Sequence, residues 1–241
     1  MILDTDVPTI FPKTIVSALI KRNRELFPPF GLSVIPAEII SKEEANNHRQ
    51  LIAQYLGFKP EEMKYQKQTH SAIVREIDIY SLEIESDAMI TNQTGIALCV
   101  KIADCCAILV YDPIHRAIAA IHSGWKGTRQ NIVKHTIEKL QSRFGSKPSD
   151  LLVYVSACAS AANYEVGDNF EDYFPDSVQR LNGKLHFDNR KEIRSQLIKS
   201  GVNPTLIEVS EKCTIADDSY HSFRRDGVKS GRMLAVIGMR N

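Results

Sequence analysis

With 241 residues, 43% of them apolar and 24% charged, the chain has the make-up of a globular protein large enough to bury a substantial core. A formal net charge of +1 gives the molecule as a whole no pull toward nucleic acid or an anionic membrane. No apolar run approaches the ~20 residues of a membrane-crossing helix, because Lys101 and Asp104 interrupt the best candidate.

The first residues carry acids at Asp4 and Asp6 and a proline at Pro8, and they lack the basic and apolar regions of a secretory signal. Five cysteines (Cys99, Cys105, Cys106, Cys158, Cys213) form no Cys-x-x-Cys pair. An odd count without a signal predicts reduced thiols and a cytoplasmic protein. Residues 14–21 and 32–35 read as strands separated by a turn at Pro28-Pro29-Phe30-Gly31. Ser41, followed by Glu43, Glu44 and an amphipathic stretch to Leu56, predicts a serine-capped helix ending at Gly57. Short strands over 63–68 and 73–77 are expected to flank Thr69-His70-Ser71.

The middle of the chain is dense in strand signals, at 87–91, 96–102, 106–111 and 117–121, with turns at 92–95 and at Asp112-Pro113. The last run leads into His122-Ser123-Gly124-Trp125-Lys126-Gly127, and a helical pattern follows over 128–144 until Gly145. Ligands gather where a strand's carboxyl end meets a turn and the next helix. A histidine and the only tryptophan at such a junction therefore mark a site. Downstream, 151–156 reads as a strand, 168–174 and 188–200 as helices, and 205–209 and 233–237 as closing strands. Strands outnumber helices and cluster together. That pattern predicts an α+β fold, a mixed sheet with flanking helices, in a single domain spanning 1–241.

His70, Cys105 and His122 each fall at a strand end or in a turn, and two imidazoles with one thiolate suit Zn²⁺. Three protein ligands would leave a fourth position for water or substrate, the pattern of a catalytic zinc. Copper would also accept this set. Cys105 and Cys106 compete for the thiolate role, since successive strand residues face opposite ways, and sequence chemistry leaves that choice open. Asp104 either orients a ligand histidine or caps a turn. Lys126, Arg224 and Arg225 are candidate phosphate contacts, with solvated surface charge as the alternative for each. Trp125 either stacks on a base or belongs to the core. His48, His115, His135 and His186 have no ligand-type neighbours, whereas His221, beside the paired arginines, is retained as a pocket residue.

Six segments, in order from about residue 60 to the C-terminus, carry a resemblance. They are Gln68-Thr69-His70; Asp87-Ala88-Met89-Ile90-Thr91; Ala103-Asp104-Cys105; His122-Ser123-Gly124-Trp125-Lys126-Gly127; Tyr164-Glu165-Val166-Gly167; and Arg224-Arg225-Asp226-Gly227 with Gly231-Arg232. Together they resemble the YfiH-like family, long labelled multicopper polyphenol oxidoreductases or laccase-like. Its members are described as zinc-dependent purine nucleoside phosphorylases with adenosine deaminase activity. The resemblance places metal ligands on His70, Cys105 and His122, and implies a purine nucleoside and phosphate as substrates; it leaves the oligomeric state open. Three segments depart from the family pattern. Lys21-Arg22-Asn23-Arg24 stands where a Gly-Gly-Val-Ser loop is usual, Ser156-Ala157 replaces Gly-Pro, and Tyr220-His221-Ser222 replaces Phe-Phe-Ser. These segments are expected to help form the substrate pocket.

Two other activities compete. Copper-dependent phenol oxidation follows the older label, but a multicopper enzyme needs His-x-His pairs, and this chain has seven histidines and none so spaced. A cysteine hydrolase would use Cys105 as nucleophile and His122 as base. A binding protein that kept the fold without turnover is the non-enzymatic alternative.

Overall fold

Ile96–Ile102, Cys106–Asp112 and Ala117–Ser123 are buried along their whole length apart from Lys101, and layering is the reason. A computed structural model of the chain describes residues 2–240; residues 1 and 241, the ends of the expected 1–241 domain, lie outside them. A five-stranded sheet has the order Thr5–Asp6, Ile15–Ile20, Met233–Met239, Ile96–Ile102, Met63–Lys64. A six-stranded sheet has the order Ile207–Val209, Leu152–Val155, Cys106–Asp112, Ala117–Ser123, Ala88–Thr91, Val74–Glu76. Both mix parallel and antiparallel pairs.

The two sheets pack face to face. Leu98, Val100 and Ile102 share one core cluster with Ala107, Leu109, Ile118 and Ala120. The alternate residues point outward into helix-covered layers: Ala97 and Cys99 on one side, Cys106, Ile108 and Val110 on the other. Each strand is thus apolar on both faces although its neighbours run antiparallel. Helix α1 (Lys42–Leu56) covers the five-stranded sheet through Ile52, Ala53 and Leu56. Its Ser41 cap accepts a 3.0 Å hydrogen bond from the Glu44 N–H, and Gly57 ends it at φ 75°. The six-stranded sheet is covered by α3 (Ile132–Phe144) and α5 (Asn189–Lys199), which follow α2 (Trp125–Arg129) and α4 (Phe170–Tyr173) in the chain.

The expected helix over 128–144 is therefore two helices. Asn131 sits at φ 57°, a left-handed conformation that Asn tolerates and that no α-helix continues through. Residues 32–35 form no strand: the Ser33 N–H turns to His48 Nδ1 (3.3 Å) and the Val34 N–H to the Arg232 carbonyl (3.1 Å). Leu32 and Val34 are nonetheless fully buried, so the apolar run marks core and not sheet. Missing from the sequence reading is a hairpin, Val178–Leu181 with Lys184–Phe187, whose turn residues Asn182 and Gly183 both have positive φ (50° and 78°). Asn-Gly between strands is the strongest short-range hairpin signal, and Asn182-Gly183 carries it here. With Glu165–Val166 the hairpin makes a third, small sheet, whose own core of Phe170, Phe174, Leu185 and Phe187 also seats Trp125. Among the described residues no helix is long and apolar enough to cross a membrane, and all five cysteines are free thiols.

Candidate metal centre

Strand parity decides which cysteine reaches the histidines. Ala107 pairs with His122 across the two central strands, and both side chains project toward the other sheet. Cys106 therefore points the opposite way, into the helix-covered core, where the Asn189 amide lies 3.6 Å from its sulfur. Cys105 precedes the strand, after Asp104 at φ 81°, and its sulfur turns to the His122 side. His70 enters from the loop after Gln68, itself in a left-handed conformation at φ 59°. The donor atoms of His70, Cys105 and His122 all lie within 4.8 Å of one another, and Cys105 Sγ is 3.9 Å from His70 Nε2. The two imidazoles meet almost perpendicularly, at 76°.

One buried carboxylate fixes both histidines. Asp87, at 0% exposure, heads the Ala88–Thr91 strand and accepts a 2.7 Å hydrogen bond from His122 Nδ1. The same carboxylate accepts the backbone N–H groups of Thr69, His70 and Ser71 (3.1, 3.1 and 2.7 Å) and the Ser71 hydroxyl (2.7 Å). With Nδ1 donating to Asp87, His122 offers Nε2 as its ligand atom, the arrangement in which a carboxylate sets a metal-binding imidazole's tautomer. Burial opposes ionisation of Asp87, but the bonds from His122 and Ser71 outweigh it and hold the carboxyl well below the usual range. Burial likewise opposes ionisation of the Cys105 thiol, yet the flanking His122 and His70 bring it down to about 6. The centre is thus built for a thiolate. Two imidazole nitrogens and a thiolate, clustered this closely, match the donors and spacing of a three-ligand zinc or copper site.

The turn that follows His122 needs a glycine for space. A Cβ on Gly124 would lie 2.7 Å from Cys105 Sγ and 3.1 Å from His70 Cδ2, although its φ of −79° suits any residue. Gly124→Ala is accordingly expected to fold normally and to bind metal at least about tenfold more weakly, an effect of ligand displacement of about the size found when a ligand's support is removed. A chelator competition set beside a thermal melt checks this, and an unchanged metal affinity would contradict the packing argument.

Around these three side chains opens a cavity of about 640 Å³. Trp125, Tyr164 and Phe223 supply apolar wall, and Lys126, Arg224 and Arg232 supply positive charge. Trp125 lines the cavity, and its ring also packs 5.2 Å from Phe170, against the core of the small sheet. Lys126 Nζ sits 5.6 Å from the Trp125 ring, and the Arg224 guanidinium lies over Tyr164 at 4.8 Å.

Several expected pocket residues lie elsewhere. Arg225 turns away and spends its guanidinium on the carbonyls of Thr214 (2.9 Å) and Tyr220 (2.8 Å) and on Asp226 (2.9 Å), so it braces a loop. His221 is fully buried and does not line the cavity, with Nε2 on the Leu32 carbonyl at 2.9 Å, and burial pushes it down to about 4. Asp104 orients no histidine. Its oxygens take the Thr214 hydroxyl (2.7 Å) and the Arg224 N–H (2.6 Å), which ties the cysteine turn to α6 (Phe223–Asp226). None of the three departing segments lines the cavity. Arg22 and Ser219, next to Tyr220, are joined by a 3.0 Å backbone bond, while Ser156 and Ala157 are buried between the layers. Asp87, whose role the sequence reading missed, had one signal: an acid directly ahead of the apolar run Ala88-Met89-Ile90.

Residues 41–240 match the sequence profile of the family described as multi-copper polyphenol oxidoreductase laccase. The chain belongs to that family. It is 32% identical over 228 residues to a purine nucleoside phosphorylase of Bacteroides thetaiotaomicron, covering 90% of this chain and 79% of that one. A purine nucleoside phosphorylase of Corynebacterium glutamicum is 35% identical over 200 residues, covering 79% and 80%. Adenosine deaminase RL5, from an unknown prokaryotic organism, is 30% identical over 209 residues, covering 78% and 79%. Among solved structures, YlmD from Geobacillus stearothermophilus superposes with a TM-score of 0.88 at 26% identity, over 97% of this chain and 94% of that one. Bacillus licheniformis YfiH has the same fold, with a TM-score of 0.87 at 23% identity, over 94% and 93%. Both the YfiH-like resemblance and the α+β fold class therefore hold for this family member.

Proposed function

We propose that this chain is a zinc-dependent purine nucleoside phosphorylase of the cytoplasm, acting as one 1–241 catalytic domain on adenosine, inosine or methylthioadenosine, with adenosine deamination at the same site. The observation that carries the reading is the His70–Cys105–His122 cluster at the floor of a cavity walled by aromatic rings and cations. The printed activities of the relatives, phosphorylase and deaminase, support it. In phosphorolysis a phosphate oxygen bonds to C1′ of the ribose as the C1′–N9 bond breaks. The electron pair leaves with the purine, which takes up a proton, giving free base and ribose 1-phosphate. Deamination adds water at C6 and releases the amino group as ammonia.

When bound, zinc supplies Lewis acidity at the cavity floor, and His70, Cys105 and His122 are the residues that would hold it. Lys126 and Arg224 line the cavity and would attract and orient phosphate, converting a bimolecular collision into a positioned attack. Trp125 and Tyr164 offer flat surfaces to a purine.

The copper-oxidase alternative has less support. Among the described residues the one three-ligand group is His70–Cys105–His122, while His48, His115, His186 and His221 are engaged in local hydrogen bonds. The cysteine-hydrolase alternative gains an orienting carboxylate in Asp87, behind His122. A second imidazole, His70, on the same thiolate favours a metal ligand over a nucleophile. Incubating adenosine with the zinc-loaded protein, with and without phosphate, tests the proposal. Phosphate-dependent adenine and ribose 1-phosphate, with inosine forming in either condition, are expected. No product from a protein holding one zinc would overturn it.

A further inference from the structure

We infer that Arg232, together with Arg224, forms the oxyanion subsite of the metal cavity and holds inorganic phosphate there. The inference rests on the phosphorylase reading above and names the residue that the reading lacks. Arg232 immediately precedes the Met233–Met239 strand, whose first residue pairs with Ile102 just before the cysteine turn. It is thereby rooted in the sheet beside Cys105, and both residues line the cavity.

Its guanidinium is half-buried and pre-set. Nη1 donates to the carbonyls of Ser230 (3.0 Å) and Gly231 (2.9 Å), and the planar group lies 5.4 Å from the centre of the Phe223 ring. Among the described residues no carbonyl or carboxylate takes Nε or Nη2. Asp104 shares the cavity, but both of its oxygens are already engaged by Thr214 and the Arg224 N–H. Arg224 is similar: its Nη1 donates to the Glu165 carbonyl (2.8 Å), its guanidinium lies over the Tyr164 ring at 4.8 Å, and it lines the same cavity. Two fixed guanidinium groups, each with an open edge, match the bidentate geometry of a tetrahedral oxyanion. Arg225 lacks any open edge, and the exposed Lys126 adds charge without a fixed fork.

The same chemistry would recognise a phosphoryl group on a nucleoside 5′-monophosphate, so the test separates the two sources. Metal-loaded wild type, Arg232→Met and Arg232→Lys are titrated calorimetrically with inorganic phosphate and with adenosine 5′-monophosphate. KM values for phosphate and for nucleoside are then measured separately. Arg232→Met is expected to weaken phosphate binding and raise the phosphate KM on the order of 10- to 100-fold, the effect of losing a charge-assisted bidentate contact. The nucleoside KM stays within about twofold of wild type, and Arg232→Lys recovers part of the loss. Unchanged phosphate affinity in a folded Arg232→Met, or equal loss for nucleoside and phosphate, would overturn the subsite. Arg232-dependent binding of the monophosphate but not of inorganic phosphate would overturn its assignment to free phosphate. Should the wild type bind phosphate through Arg232 yet turn over no nucleoside, the phosphorylase reading fails and the subsite stands. If Arg232→Met does not fold, the phosphate KM of Arg232→Lys decides alone.

Discussion

Replacing His70, Cys105 or His122 singly by alanine is expected to remove the metal and abolish activity while the fold persists. Elemental analysis, product assays and circular dichroism on the same preparations read out all three. The expectation of a surviving fold rests on where the ligands sit. His70 is on an exposed loop and Cys105 in a half-buried turn, so neither carries core packing. His122 is 4% exposed and its removal leaves Asp87 short of one donor, so that variant should also lose about 1–3 kcal/mol of stability. Cys106→Ala provides the contrast. Its sulfur lies in the helix-covered core, and its loss should cost about 1–2 kcal/mol for the small cavity and leave metal content intact. A Cys106 variant without metal, beside a Cys105 variant with it, would reverse the ligand assignment.

The second large effect belongs to Asp87. Asp87→Asn keeps the shape but puts an amide N–H where the carboxylate accepts hydrogen bonds from His122 and from the 69–71 loop. The variant should fold with reduced stability and bind zinc 10- to 100-fold less tightly, about the range for outer-sphere partners of metal-binding histidines. Asp87→Ala should be worse for the fold. It removes the acceptor of three backbone N–H groups in the 69–71 loop and leaves the buried His122 N–H unpaired, the latter alone at a cost of about 1–3 kcal/mol. A chelator competition that returned the wild-type affinity for Asp87→Asn would show that the imidazoles hold their places without it.

Local chemistry made much of this molecule readable from its residues. The Ser41 cap and Gly57 stop delimit α1 because both act within a few residues of themselves. The apolar runs at 96–102, 106–111 and 117–121 became central strands because only a doubly covered sheet can bury such runs on both faces. What stayed hidden depends on partners distant in the chain. Arg225 and Arg232 are the same residue type at the same end of the sequence, and only the carbonyls folded around each reveal which is spent. Asp104 and Asp87 divide in the same way: the first is next to Cys105 in sequence, while the second reaches His122 across a strand pair, 35 positions away. The break at Asn131 was equally invisible, since an asparagine inside a helical pattern gives no warning of a left-handed backbone.

The cavity's floor and its walls have different anchorage. His122 stands next to the end of one of the fully buried central strands, Cys105 ends the turn that leads into its neighbour, and Asp87 staples the His70 loop to the same sheet. Trp125, Lys126, Phe223 and Arg224 stand instead on helices of five and four residues, and Tyr164 leads into a two-residue strand of the small outlying sheet. Lengthening or trimming these short pieces would therefore reshape what the cavity accepts and leave the proposed metal-binding floor in place. Two relatives, 35% and 30% identical to this chain over the aligned residues, carry the names of two different reactions, as a fixed floor beneath adjustable walls would allow.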